Sequence, residues 1–274
     1  MVWVKTQWRN TPNELTHHDM VGCSACLFGY SNSMRMSKWV VITPHQGLGD
    51  HLLCNGLYRQ FAKFNDRVFL SVKRKYHSEI TNMLRDVENV TLLKMPNFQS
   101  WKTTRVIQRL ARIMRIRVVG LGSYGIGFFP QGVRFDNNFY DQGEVDFKHR
   151  WDSFHVPRNH AREFDLFNLL GCQKGKYIFL HEDNSRNFTI NRDLLPKGYR
   201  VISPISDNDG IFLVDYRLVI EEAFQVHVIE SSFAAFIESI DIDIPLFAHR
   251  YARNHALHDF RHEFTYRKPW QILI

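Results

Sequence analysis

The run Trp39-Val-Val-Ile-Thr-Pro-His-Gln-Gly-Leu-Gly-Asp50 decides the fold. Trp39 to Thr43 carries no charge and stops at a proline, the pattern of a short buried strand. The glycines behind it permit a tight turn, and an amphipathic helix over about 50–63 follows. Working outward, strands read at 67–72, 90–94 and 117–120, separated by helices at 77–85 and 104–115. Strands that alternate with helices pair in parallel, because the chain returns along the face of the sheet before starting the next strand. From 120 to about 158 the pattern breaks into a segment rich in Gly, Asp and aromatics, among them Gly122, Gly125, Gly127, Phe128, Phe129, Phe135, Phe139 and Tyr140. Alternation resumes with helices at 161–170, 214–223 and 232–239 and strands at 177–181, 200–203, 226–229 and 245–247. The expected architecture is α/β, with two Rossmann-like lobes at 39–150 and 151–274 facing a central cleft. Residues 1–38, rich in Asn, Ser, His and Thr and without sustained periodicity, read as an irregular N-terminal extension.

At 274 residues and 44% hydrophobic content the chain can build a substantial core. No apolar run approaches the ~18 residues of a bilayer span. Lys5, Arg9, Glu14 and Asp19 interrupt the N-terminus where a signal peptide would be apolar, so a soluble cytoplasmic protein is expected. Four scattered cysteines do not make a disulfide framework and fit a reducing compartment. Cys23 and Cys26, close behind His17 and His18, could supply four zinc ligands, but no second well-spaced pair accompanies them, and no metal is expected.

The formal charge of +7 admits nucleic acid, a membrane surface or a phosphorylated small molecule as partner. No nucleic-acid-binding module is recognisable, so nucleic acid is not expected. Basic residues concentrate at Lys73-Arg74-Lys75 and at Arg105, Arg109, Arg112, Arg115 and Arg117. The second set shares helical spacing with Val106, Ile107, Leu110, Ile113 and Met114, which reads as an amphipathic helix with a solvated basic face. The functional reading of that face is an anionic acceptor or peripheral membrane contact.

Three constellations could carry chemistry. In His45-Gln-Gly-Leu-Gly-Asp-His51, Gly47 and Gly49 allow close backbone approach and the helix that follows offers free N–H groups. It is not the dinucleotide fingerprint, because Leu52 stands where the third glycine would, and a nicotinamide cofactor is disfavoured. Asp50 opens the helix, where capping is its simplest role. In Val226-His-Val-Ile-Glu-Ser-Ser-Phe-Ala-Ala-Phe-Ile-Glu238 a strand runs into a helix at Ser231 and Ser232, a suitable seat for a diphosphate, with Phe233 beside it and seven residues between Glu230 and Glu238. In His181-Glu-Asp-Asn-Ser-Arg-Asn187, His181 and Arg186 suit the negative charge of a diphosphate leaving group.

The strand, the motif His45-x-Gly47-Leu-Gly49-Asp50 and the helix behind it resemble the opening of inverting GT-B glycosyltransferases of the heptosyltransferase type. The compact length is similar to that of glycosyltransferases from bacterial polysaccharide pathways and large DNA viruses. The resemblance implies an acceptor-binding first lobe, a second lobe holding a nucleotide-sugar (a UDP-sugar foremost), a glycan acceptor, and Asp50 as general base. It places His45, Gly47, Gly49 and His51 at the acceptor side of the cleft. His181, Arg186, Glu230, Ser231, Ser232, Phe233 and Glu238 would surround the donor. The Glu230/Glu238 spacing is similar to that of retaining GT-B enzymes, which keeps a retaining transferase open, as is a non-catalytic nucleotide- or glycan-binding protein. Asp207-Asn-Asp209 and Asp241-Ile-Asp243 have the form of a GT-A metal motif but lie too late in the chain for that role.

Overall fold

The structure is a computed structural model and describes residues 38–45, 47–98, 100–122, 134–205, 210–253 and 265–274. Cys23, Cys26, Asp207 and Asp209 lie outside the described residues.

The opening strand β1 (Trp39–Thr43) leads through the glycine turn into α1 (Leu48–Leu53) and α2 (Asn55–Phe64). These two occupy the place of the single expected helix. The bond ladder crosses their junction, from Cys54 N to Asp50 O at 2.9 Å and Tyr58 N to Cys54 O at 2.9 Å, so the chain changes course only locally at Cys54. Strands β2 (Arg67–Lys73), β3 (Val90–Met95) and β4 (Arg117–Gly120) follow, with α3 (His77–Met83) and α4 (Ser100–Ile113) as crossovers. All pair in parallel, in the order β3-β2-β1-β4. The middle of this sheet is buried on both sides, Val40, Ile42, Val68 and Leu70 being fully covered, which is why β1 reads as an unbroken apolar run.

The segment expected to be irregular contains helices α5 (Phe135–Gly143) and α6 (His149–Asp152). Phe139 and Tyr140 bury one side of α5, and its buried Asp136 is not a surface acid. Its carboxylate accepts from Arg150 Nε at 3.2 Å and from Thr265 N at 2.8 Å, and both partners of the ion pair are fully buried. In α2, a methyl on Gly56 would stand 1.9 Å from the His149 carbonyl oxygen, so glycine sets how closely α2 and α6 approach.

After α7 (His160–Leu169) come β5 (Tyr177–His181), β6 (Arg200–Ile202), α8 (Arg217–Glu221), β7 (Gln225–Val228), α9 (Ser232–Ser239), β8 (Leu246–His249) and β9 (Gln271–Leu273). The second sheet is again all parallel, in the order β6-β5-β7-β8-β9. The protein is thus α/β with two Rossmann-like sheets, as expected. Residues 35–274 form one compact unit, and a continuous cluster of buried side chains draws on both sheets. Polar contacts add to it: Glu79 of α3 accepts the Leu213 N–H at 2.7 Å, its carboxyl pushed up to about 7 by burial.

The basic helix differs from expectation. The face of α4 turned to the sheet holds Ala111 and Gln108, whose Nε2 donates to Thr43 Oγ1 at 2.7 Å. Val106, Leu110, Ile113 and Met114 are exposed along with the arginines. Small and hydrogen-bonding side chains allow the helix to lie against β1 and β4, and of the bulkier apolar ones only Ile107 is half-buried while the rest are left outside.

Candidate active site

Parallel sheets collect ligands beyond the carboxyl ends of their strands, where loops and helix N-termini converge. The carboxyl ends of β1, β5 and β7 in this protein open on one cavity of about 460 Å³. Its first wall is the glycine turn and α1, with His45, Gly47, Gly49 and Asp50; its second is His181, Asp183, Arg186, Glu230, Ser231 and Ser232. The walls touch directly: a methyl on Gly49 would sit 3.5 Å from Ser232 Cα, so the starts of α1 and α9 pack against each other.

Asp50 is the third residue of α1, and its carboxylate reaches back to accept the Gly47 N–H at 2.9 Å, the reciprocal half of a capping box. Gly47 has an ordinary extended backbone, but any Cβ there would fall 2.6 Å from Asp50 Oδ2. Glycine therefore makes room for the carboxylate. The same oxygen receives His45 Nδ1 at 2.5 Å, and this hydrogen bond raises the His45 pKa above its usual 6.5. Gly122 shapes the other side of the imidazole. It holds φ at +70°, and a Cβ would lie 2.9 Å from His45 Cβ. Asp50 thus caps the helix from its third position, with Gly47 and not Asp50 at the N-cap, and is also one half of a carboxylate–imidazole pair.

On the opposite wall Ser231 caps α9, accepting the Ala234 N–H at 3.4 Å, and its Oγ meets His181 Nδ1 at 3.1 Å. Burial lowers the His181 pKa to about 4, so the ring is neutral at physiological pH. Phe233 is buried and stacks on His181 at 4.5 Å between centroids, which makes it a support for the imidazole and not a wall of the cavity. Arg186, in a 3-10 turn after β5, lines the cavity with its guanidinium on Asp183 at 2.5 Å.

Besides Phe233, two residues expected at the cleft are elsewhere. His51 points into the core: it is fully buried, bonded through Nδ1 to Tyr58 Oη at 3.1 Å, and lowered to about 4 by burial. Helical rotation carries it away from Asp50, its neighbour in sequence. Glu238 lies near the far end of α9, where Trp151 Nε1, Arg267 N and Trp270 Nε1 all donate to it at 3.3, 2.7 and 2.7 Å. Seven intervening residues span about two helical turns, so Glu230 lines the cavity while Glu238 anchors the C-terminal segment. Asp241 and Asp243 are exposed between α9 and β8 and do not line the cavity.

A second cavity of about 420 Å³ shares His45, Gly47 and Tyr76 with the first and is completed by Lys73, Trp101 and Thr104, among others. Tyr76 and Trp101 were not singled out from sequence as site residues. The signal available was positional: Tyr76 follows the carboxyl end of β2 within the basic cluster, where parallel sheets place their sites.

Neither a protein-family model nor a curated protein sequence matches the chain. Among solved structures it is similar to a glycosyl transferase family 9 protein from Veillonella parvula, with a TM-score of 0.48 at 11% identity over 77% of this chain and 80% of that one. It is also similar to E. coli ADP-heptose lps heptosyltransferase II, with a TM-score of 0.45 at 9% identity over 77% of this chain and 84% of that one. A third similarity is to E. coli heptosyltransferase WaaC with ADP-2-deoxy-2-fluoro heptose, at TM-score 0.43 and 12% identity over 85% of this chain and 92% of that one.

Proposed function

We propose that this protein is a GT-B-type glycosyltransferase that moves a sugar from a nucleotide-sugar, a UDP-sugar foremost, to a hydroxyl of a glycan acceptor with inversion. One observation carries the reading: a single cavity sets the His45–Asp50 pair opposite the N-terminus of α9 with Arg186. The acceptor oxygen attacks the anomeric carbon, its proton passes to Asp50, and the bond to the diphosphate breaks. The departing charge is met by the N–H groups at the start of α9, by Ser231 and Ser232, and by Arg186. These groups serve a diphosphate without a divalent cation, so transfer is expected to persist in excess EDTA.

A second reading of the base rests on the 2.5 Å contact between His45 Nδ1 and Asp50 Oδ2. In that reading His45 Nε2 takes the proton and Asp50 orients the ring. Comparing His45→Gln with Asp50→Asn separates the two, because only a histidine base makes the first loss as large as the second.

The donor test is a thermal-shift screen across UDP-, GDP-, ADP- and CMP-sugars, in which a ligand at 100 times its Kd stabilises by ~2.7 kcal/mol. Arg186→Ala should weaken the selected nucleotide by ~1.5–3 kcal/mol in calorimetry. A screen in which no nucleotide-sugar shifts the melting temperature overturns the assignment. Tight donor binding with no transfer to any acceptor, and no effect of Asp50→Asn, points instead to a binding protein.

A further inference from the structure

We propose that α4 is an interfacial helix that docks this side of the protein on an anionic lipid surface. A helix that crosses over a parallel sheet normally turns its bulky apolar side chains inward. In α4, the sheet-facing Thr104 and Gln108 are polar, Ala111 is small and Ile107 is half-buried beside them, while Trp101, Val106 and Leu110, with Ile113 and Met114 at its end, are each more than half exposed. At 3.6 residues per turn, Lys102, Arg105, Arg109 and Arg112 form one stripe of the outer face, and Val106, Leu110 and Ile113 form the stripe beside it. Trp101 sits at the amino end of the basic stripe, on the side away from the apolar one, with the Arg105 guanidinium 5.0 Å and the Lys102 ammonium 5.5 Å from its ring. Residues 100–117 contain no acidic side chain.

A basic stripe joined to an apolar one matches the layered chemistry of an anionic bilayer surface: phosphate outside, acyl chain beneath. Nucleic acid would use the arginines but leave Val106, Leu110 and Ile113 in water. A covering segment of this chain would have to bring negative charge. Outside the described residues, 1–37 carry Glu14 and Asp19 against Lys5, Arg9 and Arg35, 123–133 carry no charge, 254–264 carry Asp259 and Glu263 against Arg261, and the acidic stretch 206–209 is only four residues long, beyond β6 of the other sheet. No helix among the described residues is long and apolar enough to cross a membrane, so contact through α4 is peripheral.

The location adds a consequence that rests on the proposed function. Trp101 and Thr104 line the second cavity together with His45 and Lys73. The acceptor side of the site therefore opens beside the docking face, and the acceptor is a glycan carried by that surface.

Docking is tested on the full chain by sedimentation with vesicles of phosphatidylcholine alone or mixed with phosphatidylglycerol, at low and high salt and without any nucleotide. The mixed vesicles should carry down roughly tenfold more protein than the neutral ones, with high salt reducing the difference. Arg105→Glu/Arg109→Glu and Leu110→Asp/Ile113→Asp should each abolish the preference. Both are checked for wild-type circular dichroism and melting temperature, and a misfolded pair is replaced by Arg112→Glu or Ile113→Asp alone. Equal sedimentation of wild type with both vesicle types overturns the proposal, as does full binding by the folded variants. Binding that ignores the apolar variant but is competed away by a short RNA duplex overturns it in favour of nucleic acid. A wild-type dimer that becomes monomeric in the apolar variant, with no vesicle binding, overturns it in favour of self-association. Donor-induced thermal shifts, measured on the same samples, report on the transferase reading separately.

Discussion

His45 Nδ1 and Asp50 Oδ2 stand 2.5 Å apart across the glycine turn, and the same carboxylate oxygen also takes the Gly47 N–H. One acid therefore caps its own helix and fixes an imidazole at the edge of the cavity.

The pair has a titration signature. Its hydrogen bond raises the His45 pKa above 6.5, so the stabilisation it gives is complete below pH 6.5 and is lost as pH rises through the folded value. His45 followed by NMR should titrate above 6.5 in the wild type and move down toward 6.5 in Asp50→Asn. Turnover of that variant should fall by roughly 10² to 10⁴, with a near wild-type melting temperature because asparagine still caps. An unshifted His45 midpoint would remove the carboxylate as its partner, and undiminished turnover would remove Asp50 from the chemistry.

The contact between Gly49 and Ser232 sets a size limit. A methyl at position 49 meets Ser232 Cα at 3.5 Å, an ordinary contact, so Gly49→Ala should be accommodated. Gly49→Val adds branches with nowhere to go and should cost ~1–3 kcal/mol in urea unfolding. Because the wedge separates the two cavity walls, nucleotide affinity should drop with it. Wild-type behaviour of Gly49→Val in both measurements would mean the walls are not in contact.

The Asp136–Arg150 pair should be among the costliest to break. Both side chains are fully buried, and Asp136→Ala takes the carboxylate from a buried guanidinium, which keeps Ser239 Oγ at 2.9 Å, while depriving Thr265 N of its acceptor. The expected loss is ~3–5 kcal/mol in equilibrium unfolding. The double change Asp136→Val/Arg150→Met, close to the pair in summed volume, should recover part of it. A loss below about 1 kcal/mol, the range of exposed pairs, would contradict burial of the pair.

His51 should prove structural. Its folded pKa of about 4 lies below the unfolded 6.5, so the unfolded chain binds the extra proton between those values. Stability from keeping this ring neutral is present above pH 6.5 and declines as pH falls toward 4, by up to ~1.4 kcal/mol per pH unit. His51→Phe removes that proton and also the buried Nε2, which has no hydrogen-bond partner among the described residues. Urea midpoints between pH 7.5 and 4.5 should fall less steeply in the variant, and transfer should be unchanged. A slope equal to wild type, or lost turnover, would return His51 to the site.

Much of the fold was legible because each local signal agreed with the sheet it entered. The apolar run at 39–43 and its counterpart at 177–181 became the central strands β1 and β5, buried on both faces. Helix α5 was not legible: it is short, polar along much of its length, and held by a buried Asp136 whose partners Arg150 and Thr265 are remote in sequence. Strand β9 has only three residues and exists by pairing with β8. Within the candidate site, the glycine turn and the Ser231–Ser232 helix start could be read directly, because tight turns and N-caps are encoded by neighbouring residues. Tyr76 and Trp101 could not, since they come from crossover segments whose only link to His45 is through space.

By itself, the sequence determined which residues share an element and which stand at its ends: periodicity and turn chemistry act over a few residues, so Gly47, Asp50 and Ser231 could be placed at helix starts. Tertiary structure alone decided which face of each element meets what. It turned His51 into the core beside Asp50, sent Glu238 to the C-terminal segment two turns from Glu230, and left Leu110 and Ile113 of α4 facing outward. The physical reason is that a repeat of 3.6 residues specifies a stripe but not its partner. The partner is chosen by the volume, charge and hydrogen-bonding groups that distant segments bring to the same place.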